Sequence, residues 1–260
     1  MIRELTKAVA HMEDFLLVFQ PQYNIQQRKI IGVEALIRWK HPQWGWVRPD
    51  LFIPAAEQAG LIGRIGQWVI QKATSQAVQW HEAGIPLRLS VNLSPEQLKE
   101  EALIELIDDA LASSGIKPSL LTLELTEGSP LYEAPAAIGR LYQIRELGCA
   151  IAIDDFGTGY SSMKYLMDIP VQFVKLDRFF IRNLLEHQRS RPIVQAIIEL
   201  SSSLEFQVIA EGVESSAELQ LLAGMGCHEI QGYYISPPVQ AMYIPDLVVE
   251  YIDPQRIRGL

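Results

Sequence analysis

Short apolar runs rich in β-branched and aromatic residues alternate along this chain with longer segments whose apolar positions recur every three to four residues. The short runs are Phe15–Tyr23, Lys29–Trp39, Leu87–Leu93, Leu120–Thr126, Ala150–Phe156, Phe173–Asp177, Gln207–Glu211 and Glu229–Ile235. Between them the helical period covers Arg64–Gly84, which stops at a glycine, and Ser94–Ser114, which opens on Ser-Pro-Glu-Gln with serine as cap and proline in the first turn. Further helices are predicted over Ala134–Leu147, Tyr160–Met167, Arg191–Leu204 and Ser215–Met225. Strands alternating with helices are the pattern of βα units around a parallel sheet, and eight β-rich runs predict a closed α/β barrel. Only the first two runs are joined without a helix, across Asn24–Arg28, so one strand is expected to run antiparallel to the rest. Ahead of them, Leu5, Ala8, Val9 and Met12 fall at helical spacing. Residues 1–14 are therefore read as an N-terminal helix, a possible linker from an upstream domain, and residues 15–260 as the barrel domain.

What ends the apolar runs carries the chemistry, because catalytic groups of β/α barrels sit at the C-terminal ends of the parallel strands. Ile31–Val33 leads to Glu34, Leu89–Val91 to Asn92, and Leu121–Leu123 to Glu124. Ala150–Ile153 leads to Asp154 and Asp155, Val171–Val174 to Lys175, Val208–Ala210 to Glu211, and Ile230 to Gln231. A single acid after a strand is commonly a helix cap or a solvated side chain. Acids, amides and a lysine on seven strands of one closed barrel would share a small mouth, where carboxylates repel and raise one another's pKa unless cations neutralise them. That predicts a metal site. Oxygen donors from Glu, Asp and Asn suit Mg²⁺ or Mn²⁺, whereas zinc would recruit His or Cys, and the five histidines show no ligand spacing. Neighbours on an extended strand point to opposite faces, so Asp154 and Asp155 can both reach one site only if the turn at Phe156-Gly157 bends the chain; the alternative is a helix cap with an acidic neighbour. The following Gly157-Thr158-Gly159-Tyr160-Ser161-Ser162 lacks the lysine of a nucleotide-binding loop and is read as a mobile loop beside the metals.

Composition narrows the partners. The 260 residues are 48% hydrophobic and 20% charged, the balance of a folded domain rather than a disordered chain. A net charge of −9 argues against a DNA or RNA polymer as ligand, although metal ions could supply positive charge for a small phosphate compound. Cys149 and Cys227 each follow a glycine and open an apolar run, as buried structural thiols do. No apolar stretch approaches the length of a membrane span and the first residues mix charges, so a cytoplasmic location is expected.

Taken in order, several segments resemble the EAL domain family of bacterial cyclic di-GMP phosphodiesterases. They are Gln20-Pro21, Gly32-Val33-Glu34-Ala35-Leu36, Phe52-Ile53-Pro54, Val91-Asn92-Leu93-Ser94, Glu124-Leu125-Thr126-Glu127, Asp154-Asp155-Phe156-Gly157-Thr158-Gly159-Tyr160-Ser161-Ser162, Lys175-Leu176-Asp177, Ala210-Glu211-Gly212-Val213-Glu214 and Gln231-Gly232-Tyr233. The resemblance implies a modified TIM-type (β/α)8 barrel with its first strand antiparallel, and hydrolysis of cyclic di-GMP to linear pGpG at a two-metal site of Mg²⁺ or Mn²⁺. It implies Glu34, Asn92, Glu124, Asp154 and Asp155 as metal ligands, with Glu34, Lys175 and Glu211 in the chemistry. It further implies Gln20, Leu36, Arg38, Asn92, Asp177 and Gln231 toward the substrate, and Glu127 holding the Asp-Asp-Phe-Gly loop. Arg38 also suits a phosphate as a fork-shaped donor. Inactive relatives commonly lack an acidic ligand; none is missing here. The departures are mild: Gln22 where Ile is more usual, Leu176 in place of Ile, and Phe179 at a position often held by Ser. A sensor that binds cyclic di-GMP without appreciable turnover stays open, as does a scaffold role suggested by Trp44 and Trp46. A homodimer contacting near Asp154–Ser162 is expected, and an upstream sensory or diguanylate-cyclase-like domain would fit the leading helix.

Overall fold

The computed structural model describes residues 1–127, 135–157, 166, 168–187 and 189–252. Strands β1 (Phe15–Asn24) and β2 (Lys29–His41) form an antiparallel hairpin that sets Gln20 opposite Glu34 and Gln22 opposite Gly32. From β2 the sheet continues in parallel through β4 (Arg88–Asn92), β5 (Leu121–Thr126), β6 (Ala150–Phe156), β7 (Phe173–Leu176), β8 (Gln207–Glu211) and β9 (Glu229–Gln231). Strand β9 then pairs antiparallel with β1, so eight strands close with β1 alone reversed, as the short first connection predicted. A ninth strand, β3 (Gly45–Val47), folds back on the end of β2 and lies outside the closed ring. Three residues are too few to show a period, so this hairpin was not legible. Trp44 in its turn stacks on His41 at 4.1 Å and meets Trp39 edge-on at 6.1 Å, and Trp46 lies beneath the Lys40 ammonium.

The helices follow from amphipathic spacing. Helix α1 (Ile2–His11) buries Leu5, Ala8 and Val9, and Met12 closes it in the left-handed region. Helix α3 (Ile62–Glu82) buries Ile62, Ile65, Val69, Ala73, Ala77 and Trp80, one stripe of a 3.6-residue period. Helix α4 (Leu103–Ser114) begins later than its Ser-Pro-Glu-Gln opening suggested. Ser94 accepts from the Glu96 amide in a tight turn that passes through a 3-10 segment, Gln97–Lys99, before the α-helix starts. Helices α5 (Pro135–Glu146), α7 (Ser190–Ser203) and α8 (Ser216–Gly224) match the expected segments to within one residue at either end. Ser215 and Glu218 make a reciprocal capping box on α8. Three helices were not anticipated: α2 (Pro49–Gln58), α6 (Arg178–Arg182) and α9 (Ile244–Ile252). Each is ten residues or fewer, and in α2 Pro49 at the first position and Asp50 in the first turn are helix-start signals. The helix predicted over Tyr160–Met167 lies outside the described residues apart from Leu166. Among the described residues no helix is long and apolar enough to cross a membrane.

Most of the apolar core, including both buried thiols, lies between the barrel wall and the helices. A second, small cluster comprises Ala152, Phe173 and Ile209. Each stands two residues before a predicted site residue on the same strand, and residues two apart share a face. The barrel interior therefore has a thin apolar layer beneath a polar mouth.

Candidate active site

The parallel register brings the predicted residues level. Asn92 pairs with Glu124, Thr126 with Asp154, and Glu211 with Gln231. Glu34 does not end its strand, because β2 runs on to His41; it lies within Gly32–Ala35, the stretch that pairs in parallel with β4, and so still faces the mouth. Beyond Ala35 β2 parts from β4 but stays paired with β1, and it carries Leu36 and Arg38 along the rim.

Lys175 is fully buried at the centre. Its Nζ lies 2.6 Å from Glu124 Oε2, 2.8 Å from Glu211 Oε1, and 3.3 Å from both Glu34 Oε2 and Asp154 Oδ1. Burial alone would deprotonate this amine, but Asp154, Glu124, Glu211 and Glu34 together hold its pKa well above the ordinary lysine value. The carboxylates divide. Burial opposes ionisation of Glu34, yet the Lys175 charge and amide donors from Gln231 Nε2 (2.6 Å) and Asn92 Nδ2 (2.7 Å) keep its pKa below the usual range. Glu124 is pushed up to about 8 by burial, with repulsion from Glu34 and Asp154 added, against the pull of Lys175. Burial first, then neighbouring acids, also raises Asp154, Glu211 and Asp155, the last to about 6.

Asp154 and Asp155 reach one site because the strand bends. Pairing with β7 slips between Ile153 and Phe156, and Asp155 takes φ 55°, a left-handed conformation that non-glycine residues adopt at a cost. Its amide donates to Asp154 Oδ1 at 2.9 Å. Glu127, just past β5, ties down both sides of this bulge: its amide donates to the Asp154 carbonyl at 2.8 Å and its Oε2 accepts from the Gly157 amide at 2.7 Å. Gly157 has φ 95°, and a Cβ there would lie 2.6 Å from the Phe180 ring. The remainder of the loop, 158–165, is outside the described residues.

Ligand atoms of Glu34, Glu124 and Asp154 lie within 4.8 Å of one another, and so do those of Asp154, Asp155 and Glu211. The two groups share Asp154. Five carboxylates against one ammonium leave four negative charges in excess, which two divalent cations would balance. Glu124 Oε1 is buried without a hydrogen-bond partner, as expected of an oxygen shaped for an ion. This all-oxygen donor set fits Mg²⁺ or Mn²⁺.

A cavity of about 690 Å³ opens from the mouth, lined by Glu34, Leu36, Arg38, Asn92, Asp154 and Asp155 together with residues of α2 and α3. Helix α2 is the part of this wall that strand-end reasoning missed. Its Glu57 accepts from Ser94 Oγ at 2.6 Å, joining α2 to the loop after Asn92. Gln20 accepts from Gln231 Nε2 at 3.1 Å, beside the Glu34 carboxylate. Asp177 caps α6, accepting from the Phe179 amide at 2.8 Å, and stands close enough to Asp155 to raise its pKa.

A barrel with one reversed strand and a ring of acids around a buried lysine defines an α/β enzyme scaffold with a cluster of oxygen donors that could hold metal ions. The chain belongs to the EAL domain family, whose model matches residues 2–238. It is 39% identical over 246 residues to the cyclic di-GMP phosphodiesterase PA2567 of Pseudomonas aeruginosa, covering 95% of this chain and 42% of that protein. It is 38% identical over 242 residues to the bifunctional diguanylate cyclase/cyclic di-GMP phosphodiesterase MucR of the same organism, covering 93% of this chain and 35% of that protein. The chain thus spans less than half the length of these relatives. Among solved structures, a MucR phosphodiesterase in complex with cyclic di-GMP superposes with a TM-score of 0.88 at 37% identity, covering 94% of this chain and 99% of that one.

Proposed function

We propose that this chain is a metal-dependent phosphodiesterase that hydrolyses cyclic di-GMP to linear pGpG. One observation carries the reading: the acidic set Glu34, Glu124, Asp154, Asp155 and Glu211 is complete, converges around Lys175, and opens onto a cavity of about 690 Å³. The relatives named for this activity support it. Glu34, Asn92, Glu124, Asp154 and Asp155 would hold the ions, with Glu211 at the second. Bound there, divalent cations supply Lewis acidity toward the phosphoryl oxygens and an acidified water.

The chain's own residues do the rest. Lys175 is held protonated by four carboxylates, so it acts as a fixed donor and charge rather than as a base. Asn92 and Gln231 donate to separate oxygens of Glu34 and set the rotation of its carboxylate. Arg38, a half-buried cation on the rim, is placed for a phosphate; Gln20, Leu36 and Asp177 would complete the substrate contacts. Glu127 fixes the bulge that presents Asp154 and Asp155.

The test is pGpG formation from cyclic di-GMP with Mg²⁺ or Mn²⁺, against a Glu34→Ala variant and an EDTA control. Product from the wild type alone supports the enzyme. Binding of cyclic di-GMP without product would favour a sensor and overturn the proposal. A homodimer contacting beside Asp154–Ser162 belongs to the same reading; a monomer with full activity at high dilution would exclude it.

A further inference from the structure

We infer that Gln22, Arg88 and Glu229 form a buried relay that fixes the orientation of the Gln231 amide against Glu34, which makes Gln22 a positioning residue for the acidic site. This rests on the functional reading above for its kinetic consequence, but the geometry is independent of it.

Gln22, Arg88, Glu229 and Gln231 stand on the inner faces of β1, β4 and β9. The Gln22 Oε1 accepts from Arg88 Nη2 at 2.9 Å, and its Nε2 donates to Gln231 Oε1 at 3.1 Å and toward Ser90 Oγ at 3.4 Å. Gln231 Nε2 then donates to Glu34 Oε2 at 2.6 Å and to Gln20 Oε1 at 3.1 Å. A carboxamide turned by half a revolution fills the same space, so partners alone decide which end points where. Arg88 only donates, which assigns the oxygen of Gln22 to it and the nitrogen to Gln231. An ionised Glu34 only accepts, which assigns the nitrogen of Gln231 to it. The two ends of the chain demand the same polarity of both amides, so donor hydrogens run in one direction from the guanidinium to the mouth.

The far end is anchored. Both carboxylate oxygens of Glu229 accept from the Arg88 guanidinium, which also lies 4.2 Å from the centroid of the Phe173 ring. A buried ion pair generally contributes no more stability than well-packed apolar residues in its place. Holding an amide in one orientation is a function that apolar residues could not supply. Strand β2 leaves room for the relay: a Cβ at Gly32 would lie 2.9 Å from Gln22 Oε1 and 3.1 Å from the Arg88 carbonyl.

The experiment compares wild type, Gln22→Met, Gln231→Met and the double variant. In metal-free protein the side-chain amide resonances of Gln231, assigned by their loss in Gln231→Met, should shift and exchange faster with solvent in Gln22→Met. With cyclic di-GMP and Mg²⁺, Gln22→Met should lower kcat about 10- to 100-fold, the usual weight of a group that orients a ligating side chain. In the Gln231→Met background the same substitution should change kcat by less than about two-fold, because Gln22 acts through Gln231. Unmoved Gln231 resonances, or equal losses in both backgrounds, would overturn the relay. If the wild type forms no pGpG, the functional reading falls and the amide resonances decide the relay alone. Should Gln22→Met fail to fold, the paired variant Arg88→Met with Glu229→Met, which strands no buried charge, takes its place in the same measurement.

Discussion

Stripping divalent ions from this protein should make it lose stability as pH rises from 5 to 8. Burial raises Glu124, Glu211 and Asp154 alike, and Glu124 sets the scale. Its carboxyl is fully buried and pushed from 4.5 up to about 8, first by burial and then by Glu34 and Asp154. Below pH 4.5 both folded and unfolded chains hold this proton and the group contributes nothing. Through the interval the unfolded chain releases it and the folded one does not, so unfolding becomes progressively easier until the folded group ionises near 8. A difference of about 3.5 units corresponds to about 5 kcal/mol across the window, or about 1.4 kcal/mol per pH unit. Asp155, pushed up to about 6, adds in the same sense but less, since solvent screens it. Glu34 is shifted the other way and acts only at pH below its ordinary range, outside this window. For a chain of this size, with roughly 2–4 °C per kcal/mol, the melting temperature in EDTA should fall on the order of 10 °C between pH 5 and 8. Thermal melts in EDTA and in saturating Mg²⁺ at four pH values check this, because everything outside the site is common to both series. The gap between them should widen with pH as ions displace protons from the carboxylates. A constant gap, or a metal-free protein that gains stability with pH, would refute the reasoning.

Four further outcomes follow from the geometry. Lys175→Met removes the buried ammonium that pairs with four carboxylates; it should cost about 3–5 kcal/mol in metal-free urea unfolding and abolish turnover, and near-normal turnover with saturating Mg²⁺ would contradict the role given to it. Glu127→Ala removes the acceptor for the Gly157 amide and should lower kcat about 10- to 100-fold with the melting temperature in Mg²⁺ little changed. Arg38→Lys keeps the charge but loses the planar fork, so KM for cyclic di-GMP should rise more than kcat falls, as steady-state kinetics will show. Gly232→Ala would set a Cβ 2.2 Å from the Val213 carbonyl oxygen and 2.3 Å from its amide nitrogen; backbone must shift, and a loss of about 1–3 kcal/mol in urea unfolding is expected.

Local pattern carried much of this protein. Alternation of β-rich runs with amphipathic segments, the short join after Asn24 and the polar residues closing each apolar run are properties of neighbouring residues, so barrel, reversed strand and acidic mouth were all readable along the chain. Helices α2, with its wall of the cavity, α6 and α9 carried no local pattern that set them apart from the connections around them. Closure of the ring decided what remained. Lys175 meets Glu34 across 141 positions and Glu124 across 51; Arg88 meets Glu229 across 141 and Gln22 across 66; Gln22 meets Gln231 across 209. In the sequence Gln22 is only a departure from a usual Ile, and Asp155 only a neighbour of Asp154. The burial that raises Glu124, the bulge that turns Asp155 inward and the polarity of two amides depend on strand register and on which groups share a space without water. Those are set by pairing between distant strands, and no local pattern records them.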